Sequence, residues 1–521
     1  MKYVYFSAIF AVVLLCGQFA DAAEVSDAEK LARILTASYG ADVSVKTEEK
    51  SCQVTYPQTV IEEEVTEWVE SPTDKDTLTP KTEKVTSVIA ETKAECTKVE
   101  DFKSYPQYNI SISSPEKFLA QIYNQFKLSF LKDIDVKTFS EELNIVPELG
   151  LVRVHNLHLA DASYTEKDKT TGLKKEVGHL KDYALKQQMS ENDIGVKYNV
   201  EMSLAELSAV LPFFSLQIGS EKQRSDIEYK IPENGDFNYT EMLQNIPLLT
   251  DAKSSAIIKD IKIGTDFIGM SVGFDISTQN STSQGDEKFI KTVGKMSLDN
   301  IAIIGDLISN EKKPKSIVLK YSLKEIPTEN LLELIDIQQA KKAQTDESDD
   351  KIAQIDEQYA KILDKVAQTA KIAAGIEVLF ADASVSGECS FERQNGYLHG
   401  INTVKVKNLF NIFSEQKQCI DNPKANEFAA CGSDFIFESL KDMIDTTKND
   451  SETVYKYTEQ GVFKDNTRIG DAVELNFEKM YQEKKKQDEE TEKRRQEMME
   501  MQENTVRQWE EKQAQTPHTD N

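Results

Sequence analysis

Residues 350–376 read DKIAQIDEQYAKILDKVAQTAKIAAGI, with apolar positions that recur at alternating steps of three and four. This spacing matches the period of an α-helix, so it predicts one helix whose apolar seam faces another element. Eight residues form the seam: Ile352, Ile355, Tyr359, Ile362, Val366, Thr369, Ala373 and Ile376. A Leu-rich segment begins at Glu329, and the acidic run 345–350 separates it from the seam. We therefore expect a helical hairpin over residues 327–380.

On both sides of this hairpin, apolar and polar residues alternate with the period of a β-strand. Val196, Tyr198, Val200 and Met202 show the pattern clearly. The predicted fold class is therefore α+β: an extended, curved antiparallel β-sheet with amphipathic helices packed on it, a central helical hairpin and a charged C-terminal helix or tail. A short helix is expected to interrupt the strands at residues 204–214.

Composition divides the chain into six predicted segments. They are a signal peptide (1–22), an N-terminal helix with a disulfide-stapled β-hairpin (23–104), a strand-rich body (105–326), the helical hairpin (327–380), a strand-rich return with a cysteine loop (381–470) and a charged helical or disordered tail (471–521).

The N-terminus has the pattern of a cleaved secretory signal. Lys2 precedes an apolar run from residue 3 to 16, and Ala20 and Ala22 form a small-x-small cleavage pattern. The alternatives are an uncleaved anchor or a lipoprotein signal, but the apolar run is shorter than a spanning helix needs, and Leu15 precedes the cysteine where a small residue is usual. We expect a secreted or periplasmic protein with no transmembrane span in the mature chain.

Five cysteines follow the signal, and an exported compartment favours disulfides. A hairpin turn near Asp74 would place Cys52 opposite Cys96. The same register aligns Val60 with Val88 and Glu64 with Lys84. Cys419 and Cys431 suggest a second staple around a small loop, although the alternative, that Cys52 and Cys96 pair elsewhere, stays open.

Charge and motifs narrow the function classes. The formal net charge of -27 argues against nucleic-acid binding. Nucleophile-elbow, phosphate-loop, zinc-protease and dinucleotide motifs are missing from the sequence. His155 and His158 lie at odd separation on a predicted strand, so they should point to opposite faces and not share a metal ion. We predict a protein that is not an enzyme and needs no cofactor.

The segment IVLKYSLKEIP at residues 317–327 precedes a long predicted helix. With the signal sequence and the amphipathic strands, it resembles the YdgA-like family of bacterial envelope proteins over about residues 257–371. The resemblance implies a periplasmic protein with a strand-rich body and no established catalytic site. This chain differs from that family in its cleavable signal, its cysteines and its charged C-terminal extension.

The helix predicted to begin at Pro115 has a broad aromatic face. Together with the seam helix, it suggests an apolar groove on the concave face of the sheet, built from Phe118, Ile122, Phe126, Phe130, Ile355 and Ile362. The groove could hold a lipid or another apolar ligand, or the helices could simply fill that face. A second hypothesis is an interaction module that binds an envelope protein partner through the charged C-terminal helix and the helical hairpin.

Overall fold

The structure is a computed structural model, and it describes residues 26–70, 78–126, 134–167, 174–192, 195–210, 214–231, 237, 239, 248–265, 270–286, 288–304, 313–343, 349–412, 443, 445 and 447–514. The predicted signal peptide, Phe130, Cys419 and Cys431 lie outside these residues. No helix among the described residues is long and apolar enough to cross a membrane.

The described residues contain six α-helices and one 3-10 helix. The α-helices are α1 (Asp27–Tyr39), α2 (Pro115–Phe126), α3 (Thr328–Ala343), α4 (Asp349–Ala367), α5 (Leu409–Ile412) and α6 (Phe477–Ala514), and the 3-10 helix is Pro147–Leu149.

Strands make up most of the described chain. They are β1 (Ser44–Thr47), β2 (Ser51–Tyr56), β3 (Thr59–Glu70), β4 (Leu78–Ile89), β5 (Thr92–Phe102), β6 (Tyr105–Ile112), β7 (Ile134–Val146), β8 (Leu151–Lys167), β9 (Lys174–Glu191), β10 (Gly195–Leu204), β11 (Glu206–Val210), β12 (Ser215–Ile218), β13 (Ser220–Lys230), β14 (Leu249–Thr265), β15 (Met270–Asp286), β16 (Phe289–Ile304), β17 (Ser316–Pro327), β18 (Lys371–Leu379), β19 (Ser384–Gln394), β20 (Tyr397–Lys407), β21 (Ser451–Thr458), β22 (Gly461–Lys464) and β23 (Thr467–Gly470).

The predicted α+β class with a central helical hairpin is wrong, because the protein is nearly all-β. Strand residues outnumber helical residues more than twofold, and 21 strands belong to one large, mostly antiparallel sheet. A separate two-stranded sheet pairs β3 with β4. The fold is organised by the sheet and not by residues 327–380.

The seam helix is also shorter than its sequence pattern predicts. Helix α4 ends at Ala367, and Lys371–Leu379 forms strand β18, which takes in Ala373 and Ile376. The apolar spacing alone did not distinguish the two structures, but Gly375 disfavours a helix at this point. Within the segment 204–214, predicted as a helix, Leu204 is instead the last residue of β10, and Glu206–Val210 forms β11.

The chain forms two compact units. The first comprises Met1–Leu323, Ala373–Cys389 and Asn402–Val454, and the second comprises Lys324–Ile372, Ser390–Ile401 and Tyr455–Asn521.

The first unit is built mainly by strands that pair with their neighbours in sequence. Antiparallel pairing runs through β5, β6, β7, β8, β9 and β10, continues through β13, β14 and β15, and reaches β16. The short strands β11 and β12 continue β10 and β13 beyond irregularities at Ala205 and Gly219. Because each strand is pleated, alternate residues of a strand share one face.

The N-terminal part of this sheet is covered by two helices. Helix α1 begins with a capping box between Ser26 and Glu29, and it ends at Gly40, whose φ of 78° suits a left-handed glycine cap. The apolar residues Leu31 and Leu35 of α1 and Phe118 of α2 are buried in the main core. That core continues along one face of the sheet as far as Ile261 of β14.

The predicted disulfide and its register are confirmed. Cys52 of β2 pairs with Cys96 of β5, and the two form a disulfide. In the separate two-stranded sheet, Val60 lies opposite Val88 and Glu64 opposite Lys84, as expected from the sequence.

β-Bulges interrupt the two strands that flank β15. Strand β14 carries one extra residue between Ile258 and Ile261, where Asp260 has a φ of 54°, and β16 carries one extra residue near Asn300, whose φ is 53°. Asp and Asn tolerate this left-handed backbone better than most residues. The carboxylate of Asp275 on β15, between these two strands, accepts hydrogen bonds from the backbone N–H of Asp260 at 2.7 Å and from the side-chain amide of Asn300 at 2.6 Å.

Candidate functional site

An apolar surface covers one face of three adjacent strands in the first unit. The bulges let residues three apart in β14 and β16 face the same side, so each strand contributes three side chains. The apolar surface consists of Ile258, Ile261 and Ile263 on β14, Val272, Phe274 and Ile276 on β15, and Leu298, Ile301 and Ile303 on β16.

The exposure of these nine residues distinguishes the apolar surface from a filled core. Only Ile261 is buried, whereas Ile263 is 40% exposed and the other seven are half-buried. Ile258, Phe274 and Ile276 pack at the margin of the main core. The surface is therefore a continuation of the core that the described residues leave partly open to solvent.

The opposite face of the same strands is mostly polar. Lys253, Ser255 and Lys259 of β14 are among the residues that alternate with the apolar surface. The exposed apolar exceptions on this polar face are Ile257 of β14 and Val293 of β16, which are 47% and 37% exposed. The strands are therefore amphipathic, with their apolar face continuous with the core.

One carboxyl group lies beside the apolar surface. Leu204 of β10, Glu221 of β13 and Ile258 of β14 are successive register partners, and the row continues through Ile276 and Leu298. Glu221 is thus the single ionisable residue in a five-strand row. Burial raises its pKa, while a hydrogen bond from the amide of Gln223 lowers it by a smaller amount.

A second cluster of charged groups is buried beneath α2. The ammonium group of Lys117 donates to the carboxylate of Glu141 on β7, and also to Oε1 of Gln121 at 2.8 Å. His155 Nε2 on β8 lies 2.9 Å from the other Glu141 oxygen. The ring centroid of Tyr56 is 5.4 Å from the Lys117 nitrogen.

The neighbouring side chains keep the carboxyl group of Glu141 ionised. Burial alone would raise the pKa of Glu141, but the charge of Lys117 and the hydrogen bond from His155 outweigh it and lower the pKa to about 2. The side chains of Lys117 and Glu141 are only 3% and 2% exposed. A carboxylate that is ionised, doubly paired and closed to solvent cannot reach a substrate, so we assign the cluster a structural role.

The predicted groove residues do not all serve as an open surface. Phe118 and Ile122 are buried in the core of the first unit, and Phe118 stacks on Phe139 with ring centroids 5.4 Å apart. Ile355 and Ile362 belong to the second unit, where Ile362 is buried and Ile355 half-buried. Phe126 is the last residue of α2.

The apolar surface was not predicted from the sequence. Apolar and polar residues do alternate along these strands in the sequence. Each bulge, however, changes which positions lie on the apolar face, so Ile258 and Ile261 do not fit a strict period of two. Asp260 and Asn300 have positive φ angles, and these two residue types within predicted strands were the sequence signal that could have marked the shifts.

Other site chemistries lack support in the part of the chain that the structure describes. None of its His, Cys, Asp and Glu residues form a group of three or more arranged to hold a metal ion. Cys389 has a free thiol and is half-buried.

Comparisons with known proteins found no match. No family model matches the chain, and neither a curated protein nor a solved structure matches it.

Proposed function

We propose that this chain is a non-enzymatic, exported binding protein that holds an apolar ligand, such as an acyl chain, on the apolar surface of β14, β15 and β16. The observation that carries the proposal is the exposure pattern of that surface, in which eight of nine apolar side chains are half-buried or exposed. A contiguous apolar patch that remains open to water is typical of a binding site.

The dimensions of the apolar surface suit a single acyl chain. Neighbouring strands lie about 4.8 Å apart, so three strands and the adjoining β13 span roughly 14 Å between their axes. An extended chain of about twelve carbons has a similar length and could lie across the strands, covering one row of side chains. Each buried methylene would contribute about 0.8 kcal/mol.

The disulfide supports the exported location within this proposal. Structural disulfides persist in oxidising compartments and are rare in the cytosol. Cys52 and Cys96 join strands of the main sheet, where the bond would be retained in an exported protein.

A pair of matched variants tests the binding site. Ile263 and Ile257 lie on the same strand with similar exposure but on opposite faces. Ile263→Gln should weaken binding of a fluorescent fatty-alcohol probe about tenfold, because the ligand loses one apolar contact partner. Ile257→Gln should leave binding unchanged. Equal effects of the two variants, or no saturable binding to the unmodified protein, would reject the apolar surface as the site.

A second candidate function is protein–protein interaction through α6. This helix has 38 residues, and Met498 and Met499, just past its midpoint, are 61% and 50% exposed. Methionine side chains adapt to varied partner surfaces. Deleting residues 477–521 should abolish co-purification of an envelope protein partner and leave probe binding intact. Retention of the partner by the truncated chain would reject this candidate.

A further inference from the structure

The apolar surface adjoins a carboxyl group that its neighbours do not neutralise. Within the described residues, Glu221 forms no salt bridge, and its one hydrogen bond comes from Gln223, two residues away on the same strand. The carboxyl is half-buried between Leu204 and Ile258. An ionised carboxylate in this setting is less well solvated than one at the open surface.

The other carboxylates of the same region are paired differently. Glu228 on the opposite face of β13 bonds to Lys197 at 2.5 Å, and Glu201 lies 3.2 Å from a nitrogen of Arg224. Glu221 differs because its register partners on both sides are aliphatic. A positive group that arrived with a ligand would have no competing lysine or arginine in that row.

We propose that Glu221 recognises the cationic group of an amphiphilic ligand, whose hydrocarbon chain lies on the apolar surface. This inference rests on the proposed function and adds the class of ligand, an alkyl chain that ends in a primary ammonium or another compact cation. The ligand cation would pair with the half-buried carboxylate, and its alkyl chain would follow the row Ile258, Ile276 and Leu298 away from it. Ion pairs shielded from water are stronger than exposed ones, so the contact would select among amphiphiles.

The chemistry also favours a cation over an anion. The chain has a formal net charge of -27, and an alkyl carboxylate at this position would meet Glu221 directly. An alkyl alcohol could donate one hydrogen bond, but it would bring no charge. The expected order of affinity is therefore alkylammonium, then alcohol, then carboxylate.

The test compares three ligands of equal chain length. Dodecylammonium, dodecanol and dodecanoate are titrated into the purified full chain below their aggregation limits, with displacement of a fluorescent apolar probe as the readout. The unmodified protein should bind dodecylammonium about tenfold more tightly than dodecanol, because a hydrogen bond to a charged group contributes more than a neutral one. Glu221→Gln should bring the two affinities within about twofold, since an amide keeps the hydrogen bond but not the charge.

Glu228→Gln is the matched control, because it removes one negative charge from the opposite face of the same strand. It should retain the preference for dodecylammonium, which separates a local contact from attraction by the net charge. Circular dichroism and the melting temperature of each variant verify folding. The inference is overturned if Glu221→Gln keeps the full preference or if Glu228→Gln loses it equally. Failure of dodecanol and dodecylammonium alike to bind would instead reject the proposed function, whereas dodecanol binding without an ammonium preference would reject only the role of Glu221.

Discussion

The Nε2 atom of His155 lies 2.9 Å from Oε1 of Glu141, and the other oxygen of that carboxylate accepts a hydrogen bond from Lys117. The three side chains come from β8, β7 and α2, so the cluster ties a helix to two neighbouring strands. Its members depend on one another, because the buried charges of Lys117 and Glu141 compensate each other.

Removing the lysine should therefore unfold the protein at lower denaturant concentration. Lys117→Met leaves the Glu141 charge buried without its cation, and the free energy of unfolding should fall by about 3 to 5 kcal/mol. Urea unfolding followed by circular dichroism measures the change. Lys253→Met is the control, because Lys253 forms an exposed pair with Asp251, and exposed ion pairs contribute little to stability. Equal losses in the two variants would contradict the structural role of the cluster.

The same carboxylate predicts a pH dependence. The folded-state pKa of Glu141, about 2, lies below its ordinary value of 4.5, so its contribution to stability is present above pH 4.5 and is lost as the pH falls through about 2. The shift corresponds to about 3 kcal/mol. Glu141→Gln should flatten the dependence of unfolding free energy on pH between about 5 and 2.

The control for this pH series is Glu142→Gln, which changes the adjacent, exposed residue. It should keep the slope of the unmodified protein across the same range. A Glu141→Gln variant with an unchanged slope would show that other groups determine the acid response.

The disulfide should contribute measurably to stability. Cys52 and Cys96 are 44 positions apart, and closing a loop of that size restricts the unfolded chain. Replacing both with serine should lower the unfolding free energy by about 2 to 4 kcal/mol in urea titrations. Cys389→Ser removes the free thiol of that residue and serves as the control. An unfolding free energy of the double variant equal to that of the unmodified protein would count against this role.

Close packing of Gly294 against Tyr321 predicts a further effect. A Cβ atom at Gly294 would overlap the Tyr321 ring and Oδ1 of Asn280, whose hydrogen bond to the tyrosine hydroxyl is 2.9 Å long. Gly294→Ala should therefore reduce the unfolding free energy by about 1 to 3 kcal/mol. At Gly375, by contrast, a Cβ atom would have its nearest neighbours at 3.6 Å, so Gly375→Ala should be tolerated. The melting temperatures of the two variants test this difference. A Gly294→Ala variant that melts at the temperature of the unmodified protein would refute the predicted overlap.

The sequence revealed local structure more readily than architecture. The N-terminal helix and the pairing of Cys52 with Cys96 depend on residues close in the chain or joined by one hairpin, and both were predicted. Residues 371–379 were not, because a short apolar run that fits a helix also fits a strand. Because the sheet takes in most of the strands, the fold is nearly all-β, and the predicted α+β class was wrong.

The candidate site was hidden for a related reason. Ile258 and Ile261 share a face only because Asp260 introduces an extra residue, and no fixed period describes a strand with such a shift. The charged cluster was hidden too, since Lys117, Glu141 and His155 are brought together by tertiary packing. Buried charges of this kind cannot be distinguished in sequence from the many exposed ones in so acidic a chain.

The order of strand pairing in the first unit has a consequence for how the chain folds. From β5 to β10, each strand pairs with the next one along the sequence, so each new hairpin can form on the edge left by its predecessor. Contacts between sequence neighbours require little loop closure, which shortens the search for the native arrangement. A chain with this pairing could acquire its structure progressively, strand after strand, as it leaves a ribosome or a translocation channel.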